Sequence, residues 1–189
     1  MTVKSTLIGF FFVAIVLAVF AVLYFSPKEE TVEQISADDI ESHLTNGDII
    51  CRLGDQLWSL YFRDISPVDK RFSHLGIVRI TNGETTIINA EGLVWEGKDF
   101  VNEVTLQDFV QLAKAVDVYR FSGIDEDLIA EAAYKMKGKS FDWDFDLNDS
   151  QKLYCTELLF VVLNNIFPEY EMKTMFQKEL GRKVAVSHR

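Results

Sequence analysis

Lys152-Leu153-Tyr154-Cys155-Thr156-Glu157-Leu158-Leu159 opens an apolar helix that runs to about Phe167. Leu158, Leu159, Val162, Leu163 and Ile166 recur at helical spacing, so one stripe of the helix faces a core, and Cys155 lies on that stripe one turn before it begins. A thiol in the first turn of a helix feels unsatisfied N–H groups and the positive end of the macrodipole, and both favour the thiolate. The stretch therefore predicts a nucleophile. A free cysteine on an apolar face also serves as plain packing, which is its commoner use. The choice between the two rests on the rest of the chain.

With 189 residues and an apolar N-terminus, there is room for one domain of about 150 residues. The formal charge of −10 and the lack of any basic cluster longer than Arg182-Lys183 oppose binding to phosphate backbones, so nucleic acid is excluded as a partner. Two cysteines, Cys51 and Cys155, make no disulfide scaffold and no paired zinc-ligand spacing. No metal and no cofactor is expected. Only three histidines are present, which narrows the search for a base.

Leu7 to Phe25 is an unbroken apolar run. At 1.5 Å per residue its roughly 19 residues reach about 28 Å, close to the thickness of a bilayer's hydrocarbon core. The exit Val22-Leu23-Tyr24-Phe25-Ser26-Pro27 lacks the small residues of a signal-peptidase site, so the expectation is an uncleaved signal anchor over residues 1–26. The flanking charges lean towards an N-terminus inside, which puts the rest outside the inner membrane, in a periplasm or its equivalent. Residues 27–34 read as a polar tether and residues 35–189 as the folded domain. Ser36 is an expected N-cap, with Asp39 completing a capping box and Ile35/Ile40 a hydrophobic staple, for a short helix that stops by Asn46-Gly47.

Asp48 to Leu53 reads as a strand with Cys51 partly buried. From Gly54 to Arg71 the pattern breaks down into a loop whose aromatics serve either as a cover over a cleft or as ordinary core. Trp58 in this loop, and Tyr154 beside the cysteine, are the candidate substrate-binding residues. Phe72 to Ile80 is then a strand, which Asn82-Gly83 turns into Glu84 to Glu91, and Asn-Gly between two such runs predicts an antiparallel hairpin. In plain register Thr81 faces Glu84, which sets His74 opposite Glu91 and diagonal to Asn89, with both polar groups on one face. A histidine with a polar partner at the same strand end is a candidate base. Thr105 caps an expected helix from Leu106 to about Lys114, Val116 to Phe121 is a strand, and Asp125 to Lys137 is a second amphipathic helix. The alternating acids of Phe141-Asp142-Trp143-Asp144-Phe145-Asp146 lack the glycine and glutamate of a calcium loop and read as an edge segment with one buried face. Glu169 to Arg189 gives no clear signal beyond a short helix.

Gly47-Asp48-Ile49-Ile50, Ser73-His74-Leu75-Gly76-Ile77, Asn89-Ala90-Glu91-Gly92 and Tyr154-Cys155-Thr156-Glu157-Leu158, in this order, resemble the YiiX/YaeF-like permuted papain-like cysteine hydrolases. These form the bacterial branch of the NlpC-type superfamily that includes the lecithin retinol acyltransferase relatives. The resemblance implies an α+β permuted papain-like fold, a small antiparallel sheet packed against helices, here preceded by one N-terminal transmembrane helix. It implies His74 and Cys155 as catalytic base and nucleophile. The family's third polar residue, commonly the Glu of an E-A-x-G motif, falls on Asn89, and Glu91 is the alternative third member. The implied activity is cleavage of an amide bond in a small-molecule, peptide or lipid-linked substrate through an acyl-enzyme. A lipid acyltransferase or thioesterase using the same triad, and a non-catalytic membrane-tethered binding module, are the alternatives.

Overall fold

The structure, a computed structural model, describes residues 35–66, 69–93, 97–111, 113–168, 174–179 and 182–187. The anchor expected over residues 1–26 and the tether lie outside the described residues, and among the described residues no helix is long and apolar enough to cross a membrane.

The chain runs α1 (Ala37–Glu41), β1 (Ile49–Gly54), α2 (Leu57–Ile65), β2 (His74–Thr81), β3 (Glu84–Leu93), β4 (Lys98–Thr105), α3 (Leu106–Val110), β5 (Ala113–Tyr119), α4 (Glu126–Tyr134), β6 (Ser140–Phe141), β7 (Lys152–Leu153), α5 (Cys155–Ile166), β8 (Thr174–Glu179) and β9 (Arg182–Ser187). Seven strands form one sheet in the order β5-β1-β2-β3-β4-β6-β7, antiparallel throughout except for the short parallel pair β6–β7, while β8 and β9 form a hairpin of their own. The class is α+β, as expected, but the sheet is not small. Two of its strands escape the sequence reading: β4, whose Asp99, Asn102 and Glu103 interrupt its apolar run, and the two-residue β7.

Alternate residues of the central strands feed two cores, because side chains alternate across a sheet. Ile49, Leu75, Ile77, Ile88 and Val101 meet Ile129 and Ala133 of α4 and Leu158, Leu159, Val162 and Leu163 of α5. On the other face Ile50, Val78 and Ile87 meet Ala37 of α1, Leu44, and Leu106, Phe109 and Val110 of α3. The apolar stripe read along α5 is the stripe that is buried. Thr105 caps α3 by accepting from the Asp108 N–H at 3.0 Å, but that helix ends at Val110 rather than near Lys114, because β5 begins at Ala113. Ser36 likewise caps α1, which ends at Glu41, well short of Gly47.

The central hairpin turns through Asn82 and Gly83 at φ 55° and 81°, the left-handed pair of a type I′ turn. Its ladder follows the expected register from Thr81↔Glu84 to Ile77↔Ile88 and ends there, short of His74 and Glu91. On its other edge β2 continues to pair with β1 as far as Arg52↔His74. The segment expected to be a loop before His74 instead contains α2, whose Leu57, Trp58, Tyr61, Phe62 and Ile65 follow helical spacing although none of its residues is fully buried. The acidic–aromatic segment is strand only at Ser140–Phe141. Beyond it the chain bends around Asp142, which is buried and accepts from the N–H groups of Asp144 and Asp146.

Gly76 shows how closely the site is built. A Cβ there would lie 2.4 Å from Ile87 Cγ2 and 3.2 Å from Phe109 Cε2, so any side chain displaces Ile87 of β3 and crowds Phe109 of α3. Gly76→Ala is expected to lower stability by about 1–3 kcal/mol through overpacking, read as a lower urea midpoint at unchanged slope.

Candidate active site

Arg52, His74, Asn89 and Asn102 stand on adjacent strands β1, β2, β3 and β4, and form one polar row across the face that α3 covers. His74 Nε2 lies 2.9 Å from Asn89 Oδ1, and Asn89 in turn donates from Nδ2 to Asn102 Oδ1 at 2.8 Å. Both asparagines are buried. With its NH2 committed to Asn102, Asn89 can only accept from the ring, so the imidazole carries its proton on Nε2 and leaves Nδ1 as the basic nitrogen. The Phe109 ring lies against the imidazole at a centroid distance of 5.8 Å.

Cys155 begins α5, after Tyr154 as N-cap. Glu157 closes the capping box by accepting from the Tyr154 N–H at 3.3 Å, which accounts for the glutamate in Tyr154-Cys155-Thr156-Glu157. That carboxyl is almost completely buried, and burial raises it to about 7. The backbone N–H groups of Thr156, Leu75 and Cys155 itself all act on the Cys155 thiol. Leu75 follows His74, so the sulfur is brought to the start of β2, where β3 has parted from it.

The helix terminus favours the thiolate as expected, but the surroundings oppose it. Burial pushes the thiol up to about 11, against the three N–H groups and the positive charge of Arg52, which pull it down without prevailing. Burial, with Arg52 second, also holds the imidazole down at about 4, while Glu91 and the Asn89 hydrogen bond oppose that. Both shifts favour the neutral forms.

The two candidates for third member separate cleanly. Asn89 meets the ring, whereas the Glu91 carboxylate lies 2.8 Å from the Arg52 guanidinium, with both side chains largely buried. Arg52 also donates to the Phe109 carbonyl at 2.6 Å and lies over the Phe109 ring at 4.7 Å. Tyr154 is 3 % exposed, with its ring against Phe145. Trp58 is exposed on α2 with its ring edge-on to Tyr61. Arg52, Asn102 and Phe109 escape the sequence reading as site residues, because the pairings of β1 with β2 and of β3 with β4 bring the first two into the row, and the packing of α3 on the sheet brings the third.

A model of the permuted papain-like amidase enzymes of the YaeF/YiiX type, the C92 family, matches residues 43–187. The chain belongs to this family. It is accordingly a papain-like cysteine amidase or peptidase by class, with the histidine strand ahead of the cysteine helix. Among solved structures the fold is similar to that of the metalloprotein YiiX from Escherichia coli O157:H7, with a TM-score of 0.58 and 20 % identity over 71 % of this chain and 73 % of that one. No curated protein matches the sequence. Among the described residues of this amidase, no group of three or more His, Cys, Asp and Glu side chains is gathered to hold a metal ion.

The depressed imidazole sets a stability signature. As pH falls from about 6.5 to about 4 the unfolded chain takes up a proton on His74 that the folded chain refuses, so stability falls with acidification in that window. The stability of the wild type relative to His74→Gln should therefore shrink between pH 7 and pH 4.5, measured by urea melts at each pH. A constant difference would mean that the ring is not held neutral.

Proposed function

We propose that this chain is a membrane-anchored cysteine hydrolase that cleaves amide bonds, peptide or N-acyl, through an acyl-enzyme on Cys155, with His74 as base and Asn89 as its orienting partner. The observations that carry the reading are the 2.9 Å contact of His74 Nε2 with Asn89 Oδ1 and the N–H of Leu75, the residue after His74, acting on the Cys155 thiol. The apolar run Leu7 to Phe25 supports the anchor, and with it an extracytoplasmic site at the inner membrane.

Both partners rest neutral, so the thiol is activated at the moment of attack rather than beforehand. His74 Nδ1 takes the thiol proton as Sγ bonds to the carbonyl carbon, and backbone N–H groups at the start of α5 hold the oxyanion. The imidazolium returns that proton to the departing nitrogen as the C–N bond breaks, leaving a thioester and a free amine. Water, deprotonated by His74, then splits the thioester to a carboxylic acid and restores the thiol. Asn89 keeps the ring in the tautomer that these steps need. Glu91, bound to Arg52, sets the local charge.

Cys155→Ala is expected to lower amide hydrolysis by about a thousandfold or more, and Cys51→Ala to leave it near wild type. The pH profile distinguishes a neutral pair from a pre-formed ion pair. kcat/KM should rise as pH passes about 4, where His74 loses its proton, and hold past the ordinary thiol value of 9.0 towards about 11. A fall near neutral pH, where an imidazolium would be lost, would instead identify a thiolate–imidazolium resting state.

A further inference from the structure

Both cysteines of the chain lie on one face of the sheet. Side chains alternate along β1, so Cys51 projects with Ile49 towards α4 and α5, while Ile50 and Arg52 project towards α3. Cys155 opens α5 and packs against the same cluster, to which Ile49, Leu75, Leu158 and Leu159 belong. Leu75 links the two. It is the residue opposite Cys51 in the β1–β2 ladder, and its backbone N–H acts on the Cys155 thiol. Opposed residues on one face of an antiparallel pair hold their Cβ atoms about 4.5–5.5 Å apart, so Cys51 flanks Leu75 within the sheet while the Cys155 sulfur approaches the same residue from the helix. Arg52, next to Cys51, also bears on the Cys155 thiol by its charge.

Both cysteines are thiols in this structure, and both residues are half-buried, whereas Leu75, Leu158 and Leu159 around them are buried. Neither is sealed off as its apolar neighbours are. Amide cleavage as described above uses only Cys155, so Cys51 is a second sulfur nucleophile close to the first with no part in that chemistry.

From this placement we propose that Cys51 and Cys155 are the two halves of a reversible disulfide, which occupies the sulfur of Cys155 when oxidised and releases it when reduced. The bond needs only the two thiols, and its silencing of catalysis rests on the acyl-enzyme reading above. The oxidant is itself a disulfide, small or protein-borne, of the kind an oxidising extracytoplasmic compartment supplies. The Cys51 thiolate attacks one sulfur of the oxidant and expels the other as a thiolate, which leaves a mixed disulfide on Cys51. The Cys155 thiolate then attacks the Cys51 sulfur and expels the second half of the oxidant. Over the two steps the S–S bond of the oxidant is replaced by one in the protein. The protein thiols give up two electrons and two protons, and the oxidant leaves as two thiols. The new bond joins β1 to the first residue of α5 across about a hundred residues of chain, so it also stabilises the fold that holds it.

The test uses the full-length chain in detergent micelles without denaturant, incubated with oxidised glutathione, quenched with acid and mapped as non-reduced peptides by mass spectrometry. The expected product is a single chain in which the Cys51 and Cys155 peptides are joined, about tenfold or more over chain carrying glutathione, because the second exchange is intramolecular. In Cys51→Ala the remaining thiol should instead carry glutathione. The oxidised wild type should resist labelling of Cys155 by iodoacetamide about tenfold or more and regain it with dithiothreitol. Its urea midpoint should rise on oxidation, and that of Cys51→Ala should not. A bond between two chains, glutathione on both sulfurs of one chain, no oxidation at all, or a cross-link that lowers the urea midpoint overturns the proposal. Amide cleavage that is absent from the reduced protein, or that survives complete cross-linking, sinks the acyl-enzyme reading and leaves the bond standing.

Discussion

The hydrogen bond from the His74 ring to Asn89 spans a gap between two strands, and the arrangement of the site follows from that gap. Where β2 and β3 stop pairing at Ile77↔Ile88, the diagonal Asn89 comes within reach of the imidazole. The same opening leaves the Leu75 N–H to act on the Cys155 thiol. Asn102 then completes the row, because a buried amide with both ends occupied cannot flip without leaving a polar atom unpaired.

Charge around this row is balanced rather than absent. Arg52 bears on both reacting groups in opposite directions, favouring the thiolate and disfavouring the imidazolium, and Glu91 at 2.8 Å offsets it. Burial is the largest influence on each group and favours the neutral thiol and the neutral imidazole. Buried ions of opposite sign are tolerated only as a pair, which explains why Glu91 is better read as the counter-ion of Arg52 than as a member of the catalytic set.

The glycines of the two short motifs have a common steric reason. Gly76 admits Ile87 and Phe109 against β2, and the ring of Phe109 in turn flanks both His74 and Arg52. Gly92 does the same for another layer, since a Cβ there would lie 2.8 Å from Phe141 and 2.9 Å from Trp143. Each motif thus joins one polar residue of the site to the backbone clearance that lets an aromatic ring pack beside it.

By itself the sequence determined what is local. Periodicity marked α5 and its buried stripe, Asn82-Gly83 marked the hairpin and its register, and the motifs around His74 and Cys155 named the family. Those signals survive because each depends on residues a few positions apart. Tertiary structure alone decided which polar group meets the ring, since a ladder's end is set by how neighbouring strands twist and pair. It also decided that Arg52, 22 residues from His74, lies opposite it, and that Asn102 lies opposite Asn89. The thiol's protonation belongs to the same class: the helix terminus that favours the thiolate is legible in the chain, whereas the burial that overrides it exists only once the layers have closed around Cys155.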